Sequence, residues 1–244
     1  MVSSYIKCCK YFLVFNPMPV YQLTDKLVFP PASLAEKNGL LAIGGDLSPA
    51  RLLLAYSKGV FPWFSEGDPI LWWAPSPRLV IFPDEFKIPK RLSRLIRQEQ
   101  FSVTLDKAFP QVIEACATLD KRKDKGTWIT RDMITAYILL HDMGYAHSME
   151  CWRDHELAGG LYGISLGGVF FGESMFSRHP NSSKIALVHL VNKLLDWDFD
   201  LIDCQMKTSH LLQFGAREIP GQEFQKLLAK SMSRPTQQGK WQLG

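Results

Sequence analysis

The chain has 244 residues, 46% hydrophobic and 21% charged, with 28 Lys and Arg against 24 Asp and Glu. That balance supports a sizeable buried core and excludes a disordered polyelectrolyte, a collagen-like repeat and a chain embedded throughout in a membrane. A net charge of +4 permits an anionic partner without demanding one.

The five cysteines (Cys8, Cys9, Cys116, Cys151 and Cys204) are odd in number and form neither a Cys-x-x-Cys pair nor a zinc-type spacing with histidine. The expectation is a cytoplasmic chain with reduced thiols, no disulfide and no metal. Residues 1–17 contain a Lys7-Cys-Cys-Lys10 cluster and then five apolar residues, Tyr11 to Phe15, too few for a signal core or a membrane span. They read as an extension ahead of Met18-Pro-Val-Tyr.

Residues 18–77 read as a small N-terminal domain, dense in Pro, Gly and Trp. One helix is clear: Ser48 as N-cap, Pro49 in the first turn, a run from Arg51 to Lys58, and Gly59 as the stop. The preceding Asn38-Gly-Leu-Leu-Ala-Ile-Gly-Gly-Asp46 is not a phosphate loop, because no Gly-Lys-Ser/Thr follows. Then come Phe61-Pro-Trp-Phe64 and Pro69-Ile-Leu-Trp-Trp-Ala-Pro75. Each of these rings is either core filling for a small domain or, clustered at a domain junction, the wall of a pocket.

From Arg78 to Gly244 the pattern alternates. Strands are expected over Leu79–Phe82 and Phe101–Leu105, and helices over Lys90–Arg97, Lys107–Leu119 and from the Thr130 cap to Met143. Ala146–Trp152, Leu157–Ile164 and Val169–Phe176 read as an antiparallel meander. Gly159, Gly160 and Gly163 in its middle strand point to a bulge, or else to a ligand that comes close to the backbone. A helix from Ser182 to Leu195 carries a core stripe of Leu187, Val188, Val191, Leu194 and Leu195. A strand over Asp200–Gln205, a short helix to Phe214 and a last helix near Gln222–Lys230 complete an α+β chain.

Polar residues inside apolar strands are the candidates for chemistry. In Val169-Phe-Phe-Gly-Glu-Ser-Met-Phe-Ser-Arg178, burying Glu173 and Arg178 costs several kcal/mol unless each finds a partner. A structural Glu173–Arg178 ion pair at a strand end and a functional site both fit. Asp203 and Gln205, two apart on a strand, would share a face at its carboxyl end, with Ile202 and Cys204 on the other. Cys204, with no histidine nearer than His210, reads as a small buried hydrophobe. Hydrolase, zinc-protease and dinucleotide motifs are absent from the sequence.

Arg78, Lys87, Lys90, Arg91, Arg94 and Arg97 put six cations within twenty residues, with Lys90, Arg94 and Arg97 on one helix face. Lys121, Arg122, Lys123 and Lys125 form a second cluster in a loop. Such runs are commonly solvated faces; two of them beside an aromatic pocket fit phosphate contacts to nucleic acid.

Six segments carry a resemblance: Asn38-Gly-Leu-Leu-Ala-Ile-Gly-Gly-Asp-Leu-Ser-Pro-Ala-Arg51, Gly59-Val-Phe-Pro-Trp-Phe-Ser65, Asp68-Pro-Ile-Leu-Trp-Trp73, Gly126-Thr-Trp-Ile-Thr-Arg131, Gly172-Glu-Ser-Met-Phe-Ser-Arg178 and Leu201-Ile-Asp-Cys-Gln205. In this order, from about Leu34 to Ile219, the chain resembles the leucyl/phenylalanyl-tRNA–protein transferases. The resemblance implies a small N-terminal domain (18–77) followed by an acetyltransferase-like (GNAT) catalytic domain (78–244). It also implies transfer of Leu or Phe, and potentially Met, from aminoacyl-tRNA to the α-amine of proteins beginning with Arg or Lys, marking them for degradation through the N-degron route. No cofactor is implied, and the partners are the charged tRNA and the acceptor protein, with no membrane and a monomeric enzyme. The turn Ser177-Arg-His-Pro-Asn-Ser-Ser183 replaces the glycine-rich loop that cradles coenzyme A, so acetyl-CoA is not expected.

Position by position, the resemblance implies that Trp63 and Trp128 wall a pocket for the donor side chain and terminal adenosine, joined by Phe170, Tyr137 and Ser174. Glu173, Asp203 and Gln205 are the implied polar groups around the reacting amine and ester. An Asp with an ordinary pKa of about 3.9 is a poor match for a strong base near pH 7. The roles expected are therefore Asp203 orienting the acceptor amine, Gln205 holding Asp203 or the carbonyl, and Glu173 meeting a cationic group, with Arg178 a potential holder of Glu173.

Overall fold

The structure, a computed structural model, describes residues 20–119 and 127–243. The extension at residues 1–17 and the Lys121–Lys125 cluster lie outside the described residues. In the first part, β1 (Tyr21–Leu23), β2 (Leu40–Gly44), α1 (Pro49–Ser57), β3 (Phe61–Pro62) and β4 (Leu71–Trp73) follow in sequence. Their strands form a four-stranded sheet in the order β1-β2-β4-β3. Helix α1 begins as its sequence directs: the Ser48 hydroxyl accepts the Arg51 backbone N–H, Pro49 occupies the first turn, and Gly59 leaves the helix at φ +72°. Arg51 is fully buried, donating to Asp46 at 3.0 Å and to the Thr24 carbonyl at 2.9 Å, which satisfies a cation that would otherwise be costly.

The second part is built on β5 (Arg78–Ile81), α2 (Lys90–Arg97), β6 (Ser102–Leu105), α3 (Phe109–Thr118), α4 (Arg131–Asp142), β7 (Ala146–Arg153), β8 (Glu156–Leu166), β9 (Val169–Ser177), α5 (Ser182–Asp196), β10 (Leu201–Asp203), α6 (Ser209–Leu212), β11 (Arg217–Ile219) and α7 (Gly221–Ser231). Its seven strands run β11-β5-β10-β9-β8-β7-β6. Among the described residues, neighbouring strands of this sheet are antiparallel except β9 and β10, which pair in parallel. A parallel pair needs a crossover, and α5 provides it. The β7-β8-β9 meander is the one expected. A mixed sheet with one parallel central pair and helices on both faces is the GNAT-like arrangement, and the chain is α+β as expected.

Two apolar layers flank this sheet. On one face α1, α3 and α4 pack with Tyr162, Phe171 and Phe176. On the other, α5 and Leu92 of α2 pack with Met149, Leu161 and Phe170. The α5 stripe of Leu187, Val188, Val191 and Leu194 is buried as expected, but Leu195 is 46% exposed and lies outside it.

The strand glycines answer to the chain itself rather than to a ligand. A Cβ at Gly159 would lie 2.2 Å from the Ser182 hydroxyl, and one at Gly163 would lie 2.2 Å from the Phe171 carbonyl and 2.5 Å from the Phe170 ring. The strand expected to run through Gln205 ends at Asp203, because Gln205 turns into the left-handed region at φ +55°.

Candidate active site

The site grows from a slip in the sheet. Gly163 of β8 pairs with Gly172 of β9, but Tyr162 pairs with Ser174, so Glu173 is an extra residue in β9. A bulge of this kind breaks the alternation of side chains. Glu173 and Ser174 are thereby both carried to the face of α1 and α4, where strict alternation would send one of them into the opposite layer. The Ser174 hydroxyl is buried and has no hydrogen-bond partner within the protein.

The Glu173 carboxyl is met from three elements. Tyr137 of α4 donates its hydroxyl to Oε2 at 3.1 Å, and the Gln205 amide donates to Oε1 at 3.3 Å. The Tyr56 hydroxyl of α1 makes a short hydrogen bond with that of Tyr137. Burial raises the Glu173 pKa from 4.5 to about 7; the hydrogen bonds of Tyr56 and Tyr137 and the charge of Arg78 pull it down, while Asp203 pushes it further up. Burial and then the Glu173 charge hold both tyrosine hydroxyls well above their ordinary range, so they stay protonated donors. A carboxyl titrating near neutrality among fixed donors can take up and return one proton at physiological pH.

Asp203 is fully buried at the end of β10 and its oxygens are occupied. Arg78 holds them with a fork, Nε to Oδ1 at 2.8 Å and Nη2 to Oδ2 at 2.6 Å, and the Gln205 backbone N–H donates to Oδ1 at 2.9 Å. The expected division of labour shifts accordingly. Gln205 binds Asp203 through its backbone, not its side chain, and the side chain serves Glu173. Cys204, between them, has its thiol pKa pushed up by burial, in keeping with a small hydrophobe.

Two sequence expectations need correction, for Arg78 and Arg178, and Phe170 is placed apart from the tyrosines. Arg78 is 1% exposed and committed to Asp203, so it is not part of the surface cationic patch. Arg178 is exposed and donates to the Leu157 carbonyl at 3.0 Å, so it does not hold Glu173. Phe170, 1% exposed, belongs to the α5 layer with its ring 6.1 Å from that of Trp241, on the other face of β9 from Glu173 and Tyr137.

The remaining residues lie as follows. Trp63 is 36% exposed and meets Trp73 edge-on at 5.5 Å, while Trp73 donates its ring N–H to the Trp63 carbonyl at 2.6 Å. Trp128 is half-buried against the α3–α4 layer. Lys87, Lys90, Arg91, Arg94 and Arg97 are exposed and have no ion-pair partner among the described residues. Leu92 anchors their helix from the opposite side.

Two participants escaped the sequence reading. Tyr56 read as an ordinary helix residue; its signal was a phenolic hydroxyl on the buried side of α1, which wants a partner. The Arg78–Asp203 pair was signalled by two opposite charges, each set in an otherwise apolar strand, since either alone is prohibitive to bury.

The sheet order makes this a GNAT-like α+β fold. Residues 80–229 match the family model for leucyl/phenylalanyl-tRNA protein transferase, and residues 45–76 match that for its N-terminal domain. The chain is 57% identical over 224 residues to the leucyl/phenylalanyl-tRNA–protein transferase of Syntrophus aciditrophicus, covering 92% of this chain and 94% of that protein. It is 55% identical over 225 residues to the protein of the same name from Syntrophobacter fumaroxidans, covering 92% and 96%. Among solved structures, a GCN5-related N-acetyltransferase from Kribbella flavida aligns over 70% of this chain and 60% of its own at 8% identity, with a TM-score of 0.38. The chain belongs to the leucyl/phenylalanyl-tRNA–protein transferase family.

Proposed function

We propose that the chain moves Leu or Phe from charged tRNA to the α-amine of proteins beginning with Arg or Lys, acting as a monomer in the cytoplasm and feeding the N-degron route of degradation. Met is a further donor side chain to be tried. The observation that carries the reading is Glu173, with a pKa of about 7, held by Tyr137 and Gln205 at the bulge of β9.

The aminoacyl ester is already activated, so the site has to align two termini and pass one proton. Alignment alone can contribute about 7 to 11 kcal/mol. An α-amine with a pKa of about 7.8 is neutral in about one molecule in seven at pH 7. The neutral amine attacks the ester carbonyl; the C–N bond forms, the bond to the ribose oxygen breaks, and the proton lost by nitrogen is returned to that oxygen. Glu173 is the group suited to carry it, with Asp203 acting through Gln205 to hold the carboxyl in place. Trp63 and Trp128 offer ring faces to the donor adenosine and side chain, Ser174 offers an unpaired hydroxyl, and Lys87, Lys90, Arg91, Arg94 and Arg97 offer phosphate contacts.

Coenzyme A chemistry is disfavoured by the turn before α5. The Ser183 backbone N–H, at the start of that helix, is accepted by the Ser177 hydroxyl at 3.2 Å, which fills a position a pyrophosphate would use. The test is transfer of labelled Leu, Phe and Met from charged tRNA to peptides beginning with Arg, Lys and Ala, with acetyl-CoA as a parallel donor. Labelling of the Arg and Lys peptides alone is expected. Equal labelling of the Ala peptide refutes the acceptor specificity, and acetylation without aminoacyl transfer refutes the reaction.

A further inference from the structure

The Arg78 guanidinium, paired with Asp203 on its edge, is also covered on its faces. Its central carbon lies 4.9 Å from the Phe61 ring centroid and 4.7 Å from that of Phe224. Phe61 comes from β3 of the four-stranded sheet and Phe224 from α7 near the end of the chain, and both rings are buried. Helix α7 is itself held against the α1–β3 turn. A Cβ at Gly59 would lie 2.8 Å from the Phe224 ring, and Gln225 donates to the Lys58 carbonyl at 3.1 Å.

Aromatic faces attract a cation, and a planar fork matches a carboxylate edge; one guanidinium uses both at once. Its position is thus fixed in three directions by parts of the chain remote from one another in sequence. What the fork fixes in turn is the turn beyond β10. Asp203 Oδ1 receives Arg78 Nε and the Gln205 N–H together, and Gln205 adopts φ +55°, a region a non-glycine residue occupies only when its surroundings insist. From there the Gln205 amide reaches Glu173.

We propose that Arg78 is a positioning residue for aminoacyl transfer: gripped between Phe61 and Phe224, it locks Asp203 so that the left-handed turn at Gln205 presents its amide to Glu173. The N-terminal sheet and helix α7 are on this account parts of the catalytic apparatus rather than only of the scaffold. The inference rests on the transferase reading above and adds to it a positioning residue and the two elements that grip it.

Two variants test it. Arg78→Lys keeps the charge but cannot span both oxygens of Asp203. Phe224→Leu keeps an apolar side chain in place and removes one ring face. Both would be assayed for kcat and for KM toward charged tRNA with an Arg-initiated peptide, alongside thermal melting. The expected result for Arg78→Lys is a fall in kcat of about 30-fold or more with KM for charged tRNA within twofold, and for Phe224→Leu a fall of about 3- to 10-fold of the same kind. A folded Arg78→Lys protein with kcat within twofold of the parent overturns the proposal. So does a loss in either variant that follows the folded fraction alone. Should Arg78→Lys not fold, Phe224→Leu decides, and a parent-like kcat there overturns it. A parent protein that transfers to no peptide would instead overturn the transferase reading, so the two failures are distinct.

Discussion

Tyr137→Phe removes one hydroxyl from the centre of the site and leaves the ring, which is fully buried and meets Tyr162 edge-on at 5.7 Å. The lost donor stabilises the ionised form of Glu173, so its removal raises a pKa already at about 7. A hydrogen bond to a charged group contributes about 1.5 to 3 kcal/mol, and part of that is recovered by Tyr56 or by water, so a rise of about one pH unit is expected. Transfer needs Glu173 ionised, and its rate therefore climbs with pH through that pKa. At pH 7 the ionised fraction drops from about one half to about one tenth, a fivefold loss of rate, whereas at pH 9 variant and parent agree within about 10%. The acceptor amine contributes its own rise near pH 7.8, which is common to both proteins and cancels in the ratio of their rates at each pH. The assay is single-turnover transfer from charged tRNA to an Arg-initiated peptide between pH 5.5 and 9.5. If the Tyr137→Phe profile superimposes on the parent's, or is lowered equally at every pH, the proton-carrying role of Glu173 is wrong.

Because the Glu173 pKa rises from 4.5 to about 7 on folding, the folded state binds the extra proton and stability falls as pH climbs between those values; after discounting for its partial exposure, Glu173→Gln should stabilise the protein by about 2 kcal/mol at pH 8 and by almost nothing at pH 4.5, read by denaturant melts at both pH values. Arg94→Glu, on the exposed face of α2, should leave the melting temperature unchanged while raising KM for charged tRNA about tenfold and flattening its dependence on salt, and an unchanged KM would remove α2 from the tRNA surface. Gly163→Ala forces a methyl group to within 2.2 Å of the Phe171 carbonyl in the middle of the sheet, and a loss of about 3 kcal/mol or more should show in the denaturation midpoint.

What the sequence made legible, and what it hid, divides along the range of the forces involved. Helix α1 and the meander are written in neighbouring residues: a serine cap, a proline in the first turn, a glycine at the stop, and apolar runs broken by turns. The family resemblance brought Glu173, Asp203 and Gln205 forward together, and the structure does gather them around one point. It could not say how, because their arrangement depends on two local departures from regular geometry. A bulge moves Glu173 and Ser174 onto one face, and a left-handed residue takes Gln205 off the strand, whereas alternation along Asp200–Gln205 predicts a shared face for Asp203 and Gln205 that the backbone does not keep. Charge reading failed at Arg78 for a related reason. Counting it with Lys87 to Arg97 assigned it by proximity in sequence, but a cation at the head of the apolar run Leu79-Val-Ile81 is inside the sheet, and only a carboxylate from another strand can keep it there. The Arg78–Asp203 pair joins residues 125 positions apart. Composition and periodicity do not reach across that separation, but the cost of burying either charge alone does, and this is the physical ground for expecting the pair to act as one unit at the site.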